Sequence, residues 1–157
     1  MEKNSTKSIK WLTGTVICIG LIALVILGAQ TIGFFFGKSV VQKVVWIEGA
    51  EVFQVLVAIL RFIAGTVLYV SMAGFMLNTL KALNNGVLFP RINITLLFWA
   101  AGSALVFLLC NTNVPMIHGV QVFQIDAEEI LVPAIICTFA IVYRKAVQVS
   151  EENSLTI

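Results

Sequence analysis

The sequence predicts an all-α membrane protein: four transmembrane helices in a bundle, with the N-terminus and the C-terminus both cytoplasmic. Three observations carry that prediction. First, hydrophobic residues make up 59% of the 157-residue chain and charged ones 11%, with a mean hydropathy of +1.00. Such a composition cannot supply the polar surface of a soluble domain. Second, four apolar runs lie at about residues 11–36, 52–77, 92–110 and 129–143; the first three meet the roughly 20 residues a helix needs to cross about 30 Å of hydrocarbon, and the fourth does so when counted from Phe123 or Ile125. Third, Lys and Arg gather on one side of those runs. In lipid each backbone amide must be satisfied within its own segment, so runs of this length read as helices. A soluble bundle would carry a polar stripe at period 3.6, and these runs do not.

The first helix is expected over about 9–36, behind the basic residues Lys3, Lys7 and Lys10 of a polar stub, Met1–Lys10, that reads as disordered. Its apolar stretch exceeds the usual h-region of a cleaved signal, and Leu27-Gly28-Ala29 offers no small-x-small site, so it reads as a signal anchor. In Lys38–Glu48, the polar Lys38, Ser39, Gln42 and Lys43 recur at helical spacing beside Trp46, which suits a short interfacial helix. The valines there equally permit a strand. The second helix, about 52–80, carries Arg61. The middle loop after it, Leu80–Ile92, contains Asn84-Asn85-Gly86, and Pro90 disfavours helix for Phe89 before it, which makes a tight inner hairpin. The third helix covers about 91–111. An outer loop, Asn111–Ile125, then closes with the weakly alternating Val120-Gln121-Val122-Phe123, so a small two-stranded outer cap is a second reading. The fourth helix covers about 126–146. Pro133, about one turn in, should kink it unless it falls in the first turn.

Orientation follows from the basic residues of the short flanks. Lys3, Lys7, Lys10, Lys81, Arg91, Arg144 and Lys145 fall on one side; Lys38 and Lys43 face Glu48, Glu51, Asp126, Glu128 and Glu129 on the other. Both termini and the middle loop are therefore placed in the cytoplasm. The chain reads as a single integral membrane domain, 1–157, without internal repeat.

Arg61 is the sharpest single residue. It lies ten residues beyond Glu51, roughly 15 Å down a helix, where a charge costs about 2.5–3.5 kcal/mol to insert. It should turn inward to an acceptor, and the candidates are Asp126, Glu128 and Glu129 at the mouth of the fourth helix, with Glu51 above it. Either a clamp between the second and fourth helices or an intramembrane charge site results. The three carboxylates near residue 128 lack the glycine-rich loop of a metal site and suit a helix start. One histidine, His118, supplies neither a haem pair nor a zinc site. Cys18, Cys110 and Cys137 sit at unmatched depths, against a disulfide framework.

Paired redox cysteines, helix histidines, an acid in the first helix, nucleotide loops and nucleophile elbows are absent. No catalytic residue, cofactor or metal is assigned, and the chain reads as no enzyme. Gly33 with Gly37, and Ala100 with Ala104, form small-x-x-x-small pairs whose simplest use is internal packing. An oligomer has no further support.

After Tyr143 the chain continues through Arg144, Lys145, Glu151, Glu152, Asn153, Leu155 and Thr156 to Ile157. The tail is read either as frayed or as a segment that binds a partner. This acidic ending, together with the inner hairpin residues Gly86, Phe89, Arg91 and Asn93, resembles domain of unknown function 2975, a family of small four-helix bacterial membrane proteins. Ala146 stands where that family usually has glycine, Val149 where it has leucine, and Ser154 where it has aspartate. The resemblance implies a multi-pass protein of the bacterial cytoplasmic membrane, accompanied by a small helix-turn-helix regulator. The expectation is thus a non-enzymatic regulatory or accessory protein in the lipid bilayer that binds no nucleic acid directly. A small transporter or immunity protein handling a peptide or lipid is the alternative.

Overall fold

The computed structural model describes residues 2–36, 45–118 and 123–154. It contains four helices, α1 (Glu2–Phe35), α2 (Glu51–Asn84), α3 (Ile92–Thr112) and α4 (Ala127–Ser154), with a 3₁₀ turn, Val114–His118, after α3. Each helix holds a stretch long and apolar enough to cross a membrane. Among the described residues there is no strand. Most of the proposed interfacial segment and Val120–Val122 lie outside the described residues, as do Gly37, Lys38 and Lys43.

Three boundaries differ from the sequence reading, all at the end of the molecule that carries the 85–91 hairpin. From Glu2 onward the stub is helix, α2 runs on to Asn84, and α4 continues to Ser154 where the sequence suggested an end near 146. Once an apolar stretch has formed a helix, each added residue gains a hydrogen bond without a new nucleation cost. Polar residues such as Lys, Glu and Gln have good helix propensity and extend it readily.

The 85–91 hairpin is built as the sequence indicates, by a glycine that ends α2. Gly86 has φ +74°. Its N–H donates to the Leu83 carbonyl at 3.2 Å, and the Val87 N–H donates to the Ala82 carbonyl at 2.8 Å. That pair of bonds caps the helix C-terminus and needs a left-handed residue between them. Arg91 then caps α3, and the Phe89 ring packs edge-on to Tyr143 at 5.6 Å, which ties the hairpin to α4.

Among the described residues the four α-helices approach one another closely only in consecutive pairs: α1 on α2, α2 on α3, and α3 on α4. The bundle is therefore open, not closed into a ring. α4 reaches α2 through aromatic side chains, Phe75 lying 6.4 Å from Phe139 and 5.8 Å from Tyr143 between ring centres. α2 buries the small residues Ala58, Ala64, Gly65 and Ser71, and α3 buries Ala100, Ala101, Ser103 and Ala104, while Ala58 packs against Phe34 of α1. Small side chains let two backbones come together where lipid gives no hydrophobic drive. Ala100 and Ala104 thus serve internal packing. Gly65 is the tightest point, since a Cβ there would stand 2.5 Å from Leu27 of α1 and 3.0 Å from Phe107 of α3.

α1 is peripheral: 11% of its apolar span is buried, against 33% of the α3 span. Trp11, Ile22 and Val25 on α1, Val70 on α2 and Trp99 on α3 all expose more than half their surface. Hydroxyls within the spans close back on their own helix, Thr31 to the Leu27 carbonyl, Thr66 to Phe62 and Thr138 to Ala134. These three hydroxyls thereby keep their hydrogens from an apolar surrounding.

Candidate functional site

Polar side chains gather at the two ends of this open bundle. At the end opposite the hairpin, Gln54 is fully buried in the first turn of α2. Its Oε1 accepts from the Ile47 N–H at 3.1 Å, while its Nε2 donates to the carbonyls of Val45 at 3.0 Å and Met116 at 2.8 Å. One amide therefore holds both connecting segments of that end against α2. Asn113 does the same for the start of α4: Nδ2 donates to the carbonyls of Leu109 and Gln124, and Oδ1 accepts from the Gln124 N–H at 2.9 Å.

Glu129 is buried, with 1% of its surface exposed. Its Oε2 accepts from the Asp126 N–H at 2.8 Å, closing the first turn of α4 in the manner of a capping box. Among the described residues its Oε1 has no hydrogen-bond partner. Pro133 sits in the second turn of α4, beyond the position where it costs least, and leaves the Glu129 carbonyl without its helical donor.

Arg61 finds an acceptor, but a neutral one. Its Nε donates to Asn111 Oδ1 at 3.1 Å. Among the described residues neither Glu51, Asp126, Glu128 nor Glu129 forms an ion pair with it. Glu51, Asp126 and Glu128 are exposed. The helix lengths explain the difference from the sequence reading. α2 is 34 residues long and α3 is 21, so the start of α2 overshoots the end of α3. Arg61 consequently meets the last turn of α3, where Asn111 accepts from it.

At the hairpin end, Asn93 is fully buried at the start of α3. Its Nδ2 donates to Thr79 Oγ1 at 2.8 Å and to the Tyr143 hydroxyl at 3.3 Å. Thr79 donates in turn to the Phe75 carbonyl, and Tyr143 to the Pro90 carbonyl. Each hydroxyl has spent its only hydrogen, so Asn93 Oδ1 is left without a donor. The cluster joins α2, α3, α4 and the hairpin through one amide.

Beside this cluster a cleft of about 280 Å³ opens between the first turn of α3 and the last turns of α4. Arg91, Thr95, Arg144, Gln148 and Glu151 supply its polar rim, over Ile94 and Val147. Arg144, Lys145, Glu151, Glu152 and Asn153 are all exposed on the helical extension of α4, whereas Leu155 and Thr156 lie outside the described residues.

Sequence reading missed Gln54, Asn93 and Asn113 as organising residues. The signal was there for Gln54 and Asn93: an amide enclosed by apolar neighbours in or at the edge of an apolar run. Amides and hydroxyls of this kind position backbone and neighbouring helices. His118 belongs to the 3₁₀ turn, and among the described residues no group of three His, Cys, Asp or Glu is placed to hold a metal. Compared with protein-family models, with curated proteins and with solved structures, the chain gives no match.

Proposed function

We propose that this chain is a non-enzymatic, multi-pass membrane protein of regulatory or accessory type. Its α4 extension, on the cytoplasmic side, is the surface that a soluble partner binds. The observation that carries this reading is the continuation of α4 as helix through residues 144–154, past the apolar stretch that ends at Tyr143. Eleven residues of helix reach about 16 Å, and Arg144, Lys145, Val149, Glu151, Glu152 and Asn153 on it are exposed. An ordered, charged projection presents fixed contacts, whereas a frayed tail would have to be ordered on binding at an entropic cost. The resemblance of the ending and the hairpin to domain of unknown function 2975 supports a small helix-turn-helix regulator as that partner, and a bacterial cytoplasmic membrane as the location.

Two measurements test the reading. Reporter fusions after Ser8, Asn85 and Asn153 are expected to report a cytoplasmic location for all three. Tagged protein from native membranes should retain a soluble partner that a chain truncated after Lys145 loses. Retention of the same partner by the truncated chain would refute the role of the extension.

A further inference from the structure

We propose that the cleft between the first turn of α3 and the last turns of α4, which Arg91 and Arg144 both line, is a binding site for a phosphate group. The site goes beyond the partner-binding reading and does not depend on it. Arg91 caps α3, and Arg144 directly follows Tyr143 on α4, so two helices bring two cations to one cleft of about 280 Å³. That volume falls just below the usual range for small-molecule pockets and suffices for a head group more readily than for a whole metabolite. Both cations line that cleft, and Glu151 is the acid beside them. Arginine presents five N–H donors in a planar fork that matches phosphate oxygens two at a time.

The surroundings fit that ligand. Thr95 and Gln148 on the rim add neutral donors, and Ile94 with Val147 form an apolar floor. Glu151 also lines the cleft, so two positive charges face one negative and the balance favours a singly charged anion over a larger polyanion. Both arginines stand where an apolar stretch ends, after Tyr143 on α4 and before Ile92 on α3. This is the level at which lipid phosphates lie, and clefts between helices with basic rims bind lipid head groups there. The same chemistry would accept a phosphate compound from solution.

Calorimetric titration of the full chain, in micelles of an uncharged detergent, separates these sources. The probes are short-chain phosphatidylglycerol, short-chain phosphatidylcholine and inorganic phosphate. Phosphatidylglycerol is expected to bind at least about tenfold more tightly than phosphatidylcholine, which follows from about 1.4 kcal/mol of extra charge-assisted bonding. Arg91→Gln and Arg144→Gln should each weaken it about tenfold, and Glu151→Gln should strengthen it several-fold. Raising salt should weaken binding to the unaltered chain through screening, which gives a reading that needs no variant. Arginine-dependent binding of inorganic phosphate without phosphatidylglycerol would keep the site and assign it to a soluble compound. Equal affinity for the two lipids with no phosphate binding would overturn the proposal. So would unchanged affinity in arginine variants whose helical content matches the unaltered chain.

Discussion

The Nε–H of Arg61 donates to Oδ1 of Asn111 at 3.1 Å, so a neutral amide occupies the place where a carboxylate would neutralise the charge. An amide satisfies one of the five guanidinium donors and leaves the formal charge unbalanced. The cost of placing a cation in an apolar stretch is therefore only partly offset.

Arg61→Leu is accordingly expected to fold with unchanged or raised thermal stability. Asn111→Leu, which orphans the guanidinium, should destabilise by about 1–3 kcal/mol. The double variant should recover most of that loss. Thermal unfolding in one detergent, followed by circular dichroism, measures all three; a destabilised Arg61→Leu would restore the clamp reading.

At the hairpin end, Thr79→Val and Tyr143→Phe each remove an acceptor from the Asn93 amide and should each destabilise by about 1–2 kcal/mol. Asn93→Leu should cost less than either. It removes the donor and the unpaired Oδ1 together, while both hydroxyls keep their backbone acceptors. The same unfolding measurement orders the three variants.

Gln54→Leu removes three hydrogen bonds that hold Val45, Ile47 and Met116. The expected signature is local. Amide exchange should rise in 45–50 and 114–118 and stay unchanged in the middle of α3, because opening of such segments is separable from global unfolding. Hydrogen exchange read by mass spectrometry on the intact chain distinguishes local loosening from global loss.

Glu129→Gln keeps an oxygen for the Asp126 N–H and discards a buried, half-satisfied carboxylate, so stability should hold or rise. Glu129→Leu removes the cap and should cost about 1 kcal/mol. Both are checked by thermal unfolding at neutral pH.

The four helices and the hairpin were legible because length and apolarity in lipid leave few alternatives, and Gly86 declares its turn through the backbone freedom it alone supplies there. The far ends of α1 and α4 were not legible. Apolarity marks where a helix leaves hydrocarbon, and residues such as Lys145, Gln148 and Glu152 are as compatible with more helix as with coil. The partner of Arg61 was hidden for another reason. Searching by charge led to Asp126, Glu128 and Glu129, whereas α2 packs along α3, and Asn111 carries no charge to attract notice. Arg91 and Arg144 entered the sequence reading only as topology signals, because 53 positions separate them and only the pairing of α3 with α4 brings them to one cleft.

Because the closest backbone packing joins helices that are neighbours in the chain, much of the assembly can follow synthesis. The α1–α2 pair can dock before α3 has left the ribosome, α3 then finds the α2 seam already present, and α4 closes last onto α3. The long-range side-chain contacts, Gln54 to Met116 and Asn93 to Tyr143, follow once the later segments are in place. The same order makes the ends unequal in consequence. Removing α4 would uncover Asn93 and the Arg91 side of the cleft, whereas removing α1 would leave the α2–α3–α4 stack and both arginines in place.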